Sequence, residues 1–315
     1  MPPRTGPAKR RLLAGLALPA VAALALTACG SGDGDSANGS GGHSGKHEVK
    51  HARGTANVPA EPKRVVTLEP VQLDTSVALG VVPVGTAVLN EKTGVPPYLG
   101  EKAAGIKTVG TVQEPNIEKI AALKPDLILG TESRHSALYE RLTSVAPTVF
   151  MATQTDPWTE NVRLVARALG DEKGADRLLG DYRTRCTEVA GEHRTKGRTA
   201  QLIRPRDGVL SLYGPTSFAG STLECAGFTT PARDWENSIS VDLSPERVRD
   251  AGADLVLVTA ADVEAADAVP DAIRDNAKTF PAPHVVDQSF WISGVGPLGG
   301  QAVLNDLDRI LTAAK

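Results

Sequence analysis

The sequence predicts an α/β protein of two lobes joined by a long helix, and three observations carry that prediction. Short apolar segments alternate with helical ones in the first half, the stretch 158–194 carries no strand signal, and the alternation then resumes to the end of the 315 residues. A composition of 41% hydrophobic and 23% charged residues fits folded, water-exposed lobes and excludes disorder throughout. At roughly 100–200 residues per domain, the length suits two domains, each with its own core.

The elements follow in order. Strands are expected over 65–68, 81–88, 126–129 and 148–151, with helices over 72–79, 116–123 and 136–145 and with Pro125 and Pro147 as stops. The 158–194 stretch is helical with a break near Gly170, and its second part, 171–193, reaches more than ~30 Å at 1.5 Å per residue. Strands over 200–203 and 209–213 then flank the turn Arg206-Asp207-Gly208, followed by strands at 254–258 and 284–286 and a final helix. An internal repeat supports the division. Glu118 to Asp126 and the apolar strand after it match Glu246 to Asp254 and its strand, with identical spacing and the same two acids.

The N-terminus reads as an export signal. Arg4, Lys9, Arg10 and Arg11 precede an apolar run from Leu12 to Ala28, too short and too interrupted by Pro19 for a comfortable membrane span. It ends in Leu26-Thr27-Ala28-Cys29-Gly30, which resembles a bacterial lipobox. That resemblance implies cleavage after residue 28, acylation of Cys29 (the palmitate-type modification of lipoproteins) and attachment to the outer face of the cell membrane; an ordinary signal cut near Ala28 is the alternative. The segments are then 1–28 signal peptide, 29–46 flexible tether, 47–157 first lobe, 158–194 helical connection and 195–315 second lobe. Tether-like Gly, Ser, Asp and Asn composition runs on to Gly54. His43, His47 and His51 recur every four residues within it and are expected to be solvated, since the glycines oppose the helix that a metal clip needs, with a place for His51 in the first strand as the alternative.

Several function classes fall away. The formal charge is −3, and strong positive bias is confined to the extreme N-terminus, which argues against nucleic acid as a partner. No P-loop, HExxH or GxSxG occurs. Gly294-Val295-Gly296-Pro297-Leu298-Gly299 fits GxGxxG, yet no second strand with an acidic ribose ligand follows it, so it reads as a turn with Pro297 opening the last helix. Direct capture of zinc or manganese needs a cluster of ligands. Only His135 and His284 lie outside the tether and the long helix, so no metal site and no resident cofactor are expected.

Pro62-Lys63-Arg64-Val65-Val66, Ala78-Leu79-Gly80, Val109-Gly110, Glu114-Pro115-Asn116, Leu123-Lys124-Pro125-Asp126, Ala146-Pro147-Thr148, Tyr213-Gly214-Pro215 and Gly296-Pro297-Leu298 stand in one order. As a set they resemble the substrate-binding proteins of ABC transporters in the ferric-siderophore and cobalamin class, above all the hydroxamate-binding members. The resemblance implies two Rossmann-like lobes on one rigid helix, the class III periplasmic-binding-protein type, with a ligand in the cleft and no catalysis. Its expected function is capture of a ferric siderophore, hydroxamate favoured, as a monomer, with iron present only inside the chelate. Delivery would be to a two-subunit permease with its ATPase. Ferric catecholate, cobalamin and haem are the alternatives, and a secreted hydrolase is a remoter one.

The ligand contacts expected from strand ends and from the resemblance are Arg134, Arg204, Arg206, Tyr213, Trp235 and Trp291, with Trp158 assigned to helix packing and Tyr98 to either wall or core. Val112-Gln113 stands where the hydroxamate pattern has an arginine. Glu118 and Glu246, at equivalent helix starts, suit dipole capping, and the resemblance adds docking on the permease. With Cys29 lipidated, Cys186 and Cys225 remain as a pair in an exported chain. They read as a disulfide, with two buried thiols the alternative.

Overall fold

Runs such as Leu127–Thr131 carry apolar residues on both faces, so a sheet built from them needs cover on each side. In the computed structural model, which describes residues 45–154, 157–236 and 238–314, two five-stranded sheets meet that need. All described residues belong to one unit, 42–315. The signal peptide, Cys29 and His43 lie outside the described residues. No described helix is long and apolar enough to cross a membrane.

The chain opens with an antiparallel hairpin, β1 (Lys46–His51) and β2 (Gly54–Pro59). The first sheet follows as β3 (Val65–Thr67), α1 (Pro70–Ala78), β4 (Gly85–Val88), β5 (Lys107–Thr111), α2 (Ile117–Ala122), β6 (Leu127–Thr131), α3 (Glu132–His135), α4 (Tyr139–Thr143) and β7 (Thr148–Met151). Its five strands are parallel in the order β5-β4-β3-β6-β7. Two helices, α5 (Trp158–Leu169) and α6 (Glu172–His193), lead to the second sheet. That half contains β8 (Ala200–Arg206), β9 (Val209–Tyr213), α7 (Phe218–Cys225), β10 (Ser240–Leu243), β11 (Leu255–Ala260), α8 (Asp271–Arg274), β12 (His284–Asp287), α9 (Gln288–Trp291) and α10 (Pro297–Ala313). Here the order is β10-β9-β8-β11-β12, with β9 antiparallel to both neighbours and β8, β11 and β12 parallel.

Each sheet therefore starts in its middle, steps outward twice and crosses back. The crevice between the carboxyl ends of β3 and β6, and its counterpart between β8 and β11, are topological switch points. The internal repeat has a structural basis in this shared order. Asp126 accepts the backbone N–H groups of Lys63 and Arg64 at 2.8 and 2.9 Å, just before β3, while Asp254 accepts that of Thr199 at 2.8 Å, just before β8. In both halves one carboxylate pins the entrance of the first strand to that of the fourth.

Gly170 separates α5 from α6 with φ +77°, and a Cβ there would come within 2.6 Å of the Ala60 carbonyl oxygen. Asp171 then caps α6 by accepting the Gly174 N–H at 2.8 Å. At 22 residues α6 spans about 33 Å. It buries Leu179, Tyr182, Cys186 and Val189 in a core shared with α7 and α10. The Cys186–Cys225 disulfide forms between α6 and the last residue of α7, as the sequence predicts.

Several expectations need correction. The tether composition through Gly54 hides the β1–β2 hairpin, because each strand offers a single strongly apolar residue, Val49 or Val58. Both are buried against Val65, Leu127, Val149 and Val165. The period of two puts His47 and His51 on the same side as Val49, so His47 is a lobe residue rather than a solvated one, and His51 lies in the first strand, as the alternative had it. His47 Nε2 lies 2.7 Å from the Arg167 carbonyl oxygen, and His51 Nδ1 accepts the Phe150 N–H at 3.2 Å. The strand expected over 81–88 begins only at Gly85, since Pro83 removes a ladder donor. Edge strands β5 and β10 were not expected: β5 (KTVGT) holds one β-branched apolar residue beside a positive-φ glycine, and β10 (SVDL) is interrupted by Asp242. The 136–145 helix is divided into a 3-10 turn, Ser136–Leu138, and α4.

Candidate functional site

The two switch points face one cleft. Glu69 and Pro70 follow β3, Arg134 lies in α3 just after β6, and Met151 ends β7. From the other half come Arg204 of β8, Tyr213 at the end of β9, Ser217 and Phe218 at the start of α7, and Trp291, Ile292 and Val295 after β12. Trp158 and Asn161 of α5 close the back. About 1030 Å³ of open space lies between these walls. A second cavity of about 670 Å³ adjoins it at Pro70 and Leu89 and is lined by Leu73, Val88, Pro96, Pro97 and Tyr98 on one side and by Gln288 and Ser293 on the other.

Local chemistry holds the first wall rigid. Gln72 accepts the Leu68 N–H at 3.1 Å and donates to the Gly130 carbonyl at 2.7 Å, tying the turn after β3 to β6. His135, fully buried, accepts the Thr131 N–H on Nδ1 at 3.1 Å and places Nε2 2.8 Å from the Val112 carbonyl oxygen. Accepting on Nδ1 leaves the proton on Nε2, so both nitrogens of His135 serve to anchor α3. Desolvation holds the His135 pKa below its ordinary value. Arg134 is thereby aimed at the cleft and at Glu69.

The charges are few and unequal. Glu69 is 2% exposed, and both of its oxygens accept from Arg134 Nη1, at 3.1 and 2.9 Å. Burial pushes the Glu69 carboxyl up to about 7, while the arginine pulls it back down. Across the cleft, Arg204 meets only the Tyr213 hydroxyl, at 3.4 Å, among the described residues. No other charged group among the described residues lines the main cleft. One guanidinium is thus compensated and the other free, above a floor of Met151, Trp158, Phe218, Trp291 and Val295.

The structure brings together four of the six expected contacts, Arg134, Arg204, Tyr213 and Trp291, and leaves two aside. Arg206 lies outside the cleft lining, donating to Ser211 Oγ at 2.7 Å and to Asp242 at 3.4 Å; it shares a face with Arg204 but sits at the last pair of the β8–β9 hairpin, where these two partners hold it. Trp235 lies outside the cleft lining, its ring against Gly214 and the Arg233 guanidinium 5.4 Å from its centroid. Trp291 is floor rather than wall: it is 1% exposed, and its indole N–H donates to Asp306 at 2.8 Å. Trp158 is both a packing residue, edge-on to Tyr182 at 5.0 Å and Phe218 at 5.3 Å, and part of the lining. Sequence reasoning missed Glu69, whose signal was its place directly after a buried strand and before Pro70.

The glycine-rich turn before α10 receives a carboxylate from within the chain. Asp74 of α1, fully buried, accepts the N–H groups of Leu298 and Gly299 at 2.9 and 2.8 Å and the Tyr98 hydroxyl at 2.9 Å. A Cβ on Gly296, whose φ is +147°, would overlap the Asp74 carboxylate. The helix N-terminus that a dinucleotide phosphate would need is filled by an aspartate, and the contact ties α1 to α10.

A bilobal α/β shell with an amphipathic interlobe cleft and rigid walls defines a solute-binding protein. Residues 65–280 match the periplasmic binding protein family, and the chain belongs to it. Its relatives are named as binding proteins, not enzymes. YfiY of Bacillus subtilis, named a probable siderophore-binding lipoprotein, is 31% identical over 94% of this chain and 96% of its own length. YfmC of Bacillus subtilis, an Fe(3+)-citrate-binding protein, is 30% identical over 79% of this chain and 80% of its own. The crystal structure of Staphylococcus aureus SirA complexed with staphyloferrin B superposes with a TM-score of 0.71 at 26% identity, covering 84% of this chain and 98% of SirA.

Proposed function

We propose that this protein captures a ferric siderophore in the interlobe cleft and hands it to an ABC permease for iron uptake, held at the outer face of the membrane through lipidated Cys29. The observation that carries the reading is the cleft itself, an apolar floor under two guanidinium groups at paired switch points. A hydroxamate chelate suits it best. Three hydroxamates neutralise ferric iron and need little positive charge, and here Arg134 is compensated by Glu69, leaving Arg204 as the free cation among the described residues. A trianionic catecholate chelate would find too little to meet it. A carboxylate-type chelate is the second reading, supported by the name of YfmC, an Fe(3+)-citrate-binding protein.

Replacing Arg204 by Ala is expected to weaken binding of a ferric trihydroxamate about tenfold or more, the scale of one charge-assisted hydrogen bond. Calorimetric titration checks it, and an unchanged affinity removes Arg204 from the site. Replacing Trp291 by Ala is a poor probe of affinity, because its first effect is a cavity in the core.

Docking is proposed at Glu118 and Glu246. Both are exposed, in the first turns of α2 and of the 3-10 segment Pro245–Ala251, which precede β6 and β11 at the same place in the shared strand order. Glu118 meets Arg141 at 3.3 Å, an exposed pair of small worth. The Glu246 carboxyl is held below its ordinary pKa by its own N–H and by Ser244, so it also caps its helix start. Charge reversal of both to Lys is expected to abolish cellular uptake of the chelate while affinity and Tm stay nearly unchanged. Normal uptake by the double variant would overturn the docking role.

A further inference from the structure

Cleft specificity in a protein of this kind depends on how many positive charges remain unmatched when the ligand arrives. Glu69 borders the cleft yet is almost wholly covered. It sits at the N-cap of α1 but caps nothing: its side chain accepts no hydrogen bond from the helix, and both of its oxygens turn to Arg134. It is almost wholly buried, whereas Arg134 keeps 29% of its side chain exposed. A single nitrogen, Nη1, serves both carboxylate oxygens, while Nη2 and Nε have no partner among the described residues. The guanidinium can therefore donate to a ligand, yet its charge is already answered from behind.

We propose that Glu69 is the residue that sets the charge class of the chelate, by cancelling Arg134 and so admitting weakly charged ferric complexes while disfavouring polyanionic ones. The inference rests on the siderophore-binding reading above. Two charges within one low-dielectric cleft wall interact strongly, so removing the buried carboxylate adds nearly one full positive charge to what the ligand meets. Arg134 supplies hydrogen bonds in either case. What changes with Glu69 is the electrostatic penalty or reward for ligand charge, which is selection against anions built from a covered residue of the wall. Burial pushes the Glu69 carboxyl up to about 7 although the ion pair with Arg134 pulls it down, so the cancellation is complete above that pH and fades as Glu69 takes up its proton below it.

The test compares ferrichrome, a neutral trihydroxamate chelate, with ferric dicitrate, an anion, by calorimetric titration at one salt concentration and at a fixed pH of about 8.5, where the Glu69 carboxylate is ionised. Glu69→Gln, which keeps shape and hydrogen bonding, is expected to raise the affinity for ferric dicitrate relative to ferrichrome about tenfold or more. Arg134→Gln is expected to move the ratio the other way. The double variant, Glu69→Gln with Arg134→Gln, should return it to within about threefold of the unaltered protein. Should Glu69→Gln fail to fold, Glu69→Met, of similar volume and also uncharged, takes its place, with the same shift of the ratio expected. Parallel losses for both chelates, or a ratio unmoved in all variants, would overturn the proposal. Binding of no ferric chelate by the unaltered protein would instead overturn the functional reading, so the two failures are distinct.

Discussion

Asp74→Ala is expected to destabilise the folded protein by about 2–4 kcal/mol below pH 7, the scale of leaving several buried donors without their acceptor. The carboxylate is fully buried and takes three hydrogen bonds, two of them from the first turn of α10. Without it the Leu298 and Gly299 N–H groups and the Tyr98 hydroxyl lose their acceptor in the interior, and α1 loses its polar tie to α10. Urea unfolding at fixed pH checks the magnitude, and a loss under 1 kcal/mol would contradict the role. The same group gives a pH dependence. Burial pushes Asp74 up to about 7 from 3.8, and Glu69 up to about 7 from 4.5. The folded state then holds protons that the unfolded chain releases, so the associated stability is fully present below about pH 4 and is lost as pH rises through about 7. Tm should fall between pH 5 and 8, and less steeply in Asp74→Asn.

Removing the disulfide by Cys186→Ser with Cys225→Ser is expected to cost about 2–4 kcal/mol, from the sequence separation of 39 that it closes. The bridge fastens the C-terminal end of α7 to the middle of α6, and Ser217 and Phe218 at the opposite end of α7 line the cleft. The variant should therefore also bind its chelate less tightly. Chemical denaturation with and without reductant measures the first effect. Finding both thiols free in unreduced, unfolded protein would refute the bridge.

Much of the fold is legible because buried parallel strands announce themselves. The runs at 65–68, 126–129 and 148–151 need no partner knowledge to be read as strands, and Gly170 marks the break before the long helix. The hairpin at 46–59 is not legible, since Val49 and Val58 acquire meaning only from the sheet they cover. Edge strands β5 and β10 are polar because one side of each faces water. At the site, position after a strand locates Arg134 and Arg204, but it does not tell which cation is compensated. That depends on Glu69, brought 65 residues back along the chain to Arg134. Trp158 and Trp291 illustrate the same limit: an indole's fate is decided by its neighbours, here Tyr182 and Phe218 for one and Asp306 for the other. Asp74 shows it most plainly, since nothing near residue 74 in the sequence reveals the glycine turn more than 200 residues away that it fills.

The most direct test of the cleft as a ferric-chelate site is a tryptophan fluorescence titration, because Trp158 and Trp291 line the cleft and Trp235 does not. Purified protein is titrated with ferric trihydroxamate, the iron-free hydroxamate, ferric dicitrate, a ferric catecholate, haem and cobalamin. The expected result is saturable quenching at one chelate per protein by the ferric trihydroxamate, with the chelate's own absorption spectrum unchanged after prolonged incubation. Saturation by cobalamin or haem alone, or conversion of the chelate into another species, would contradict it.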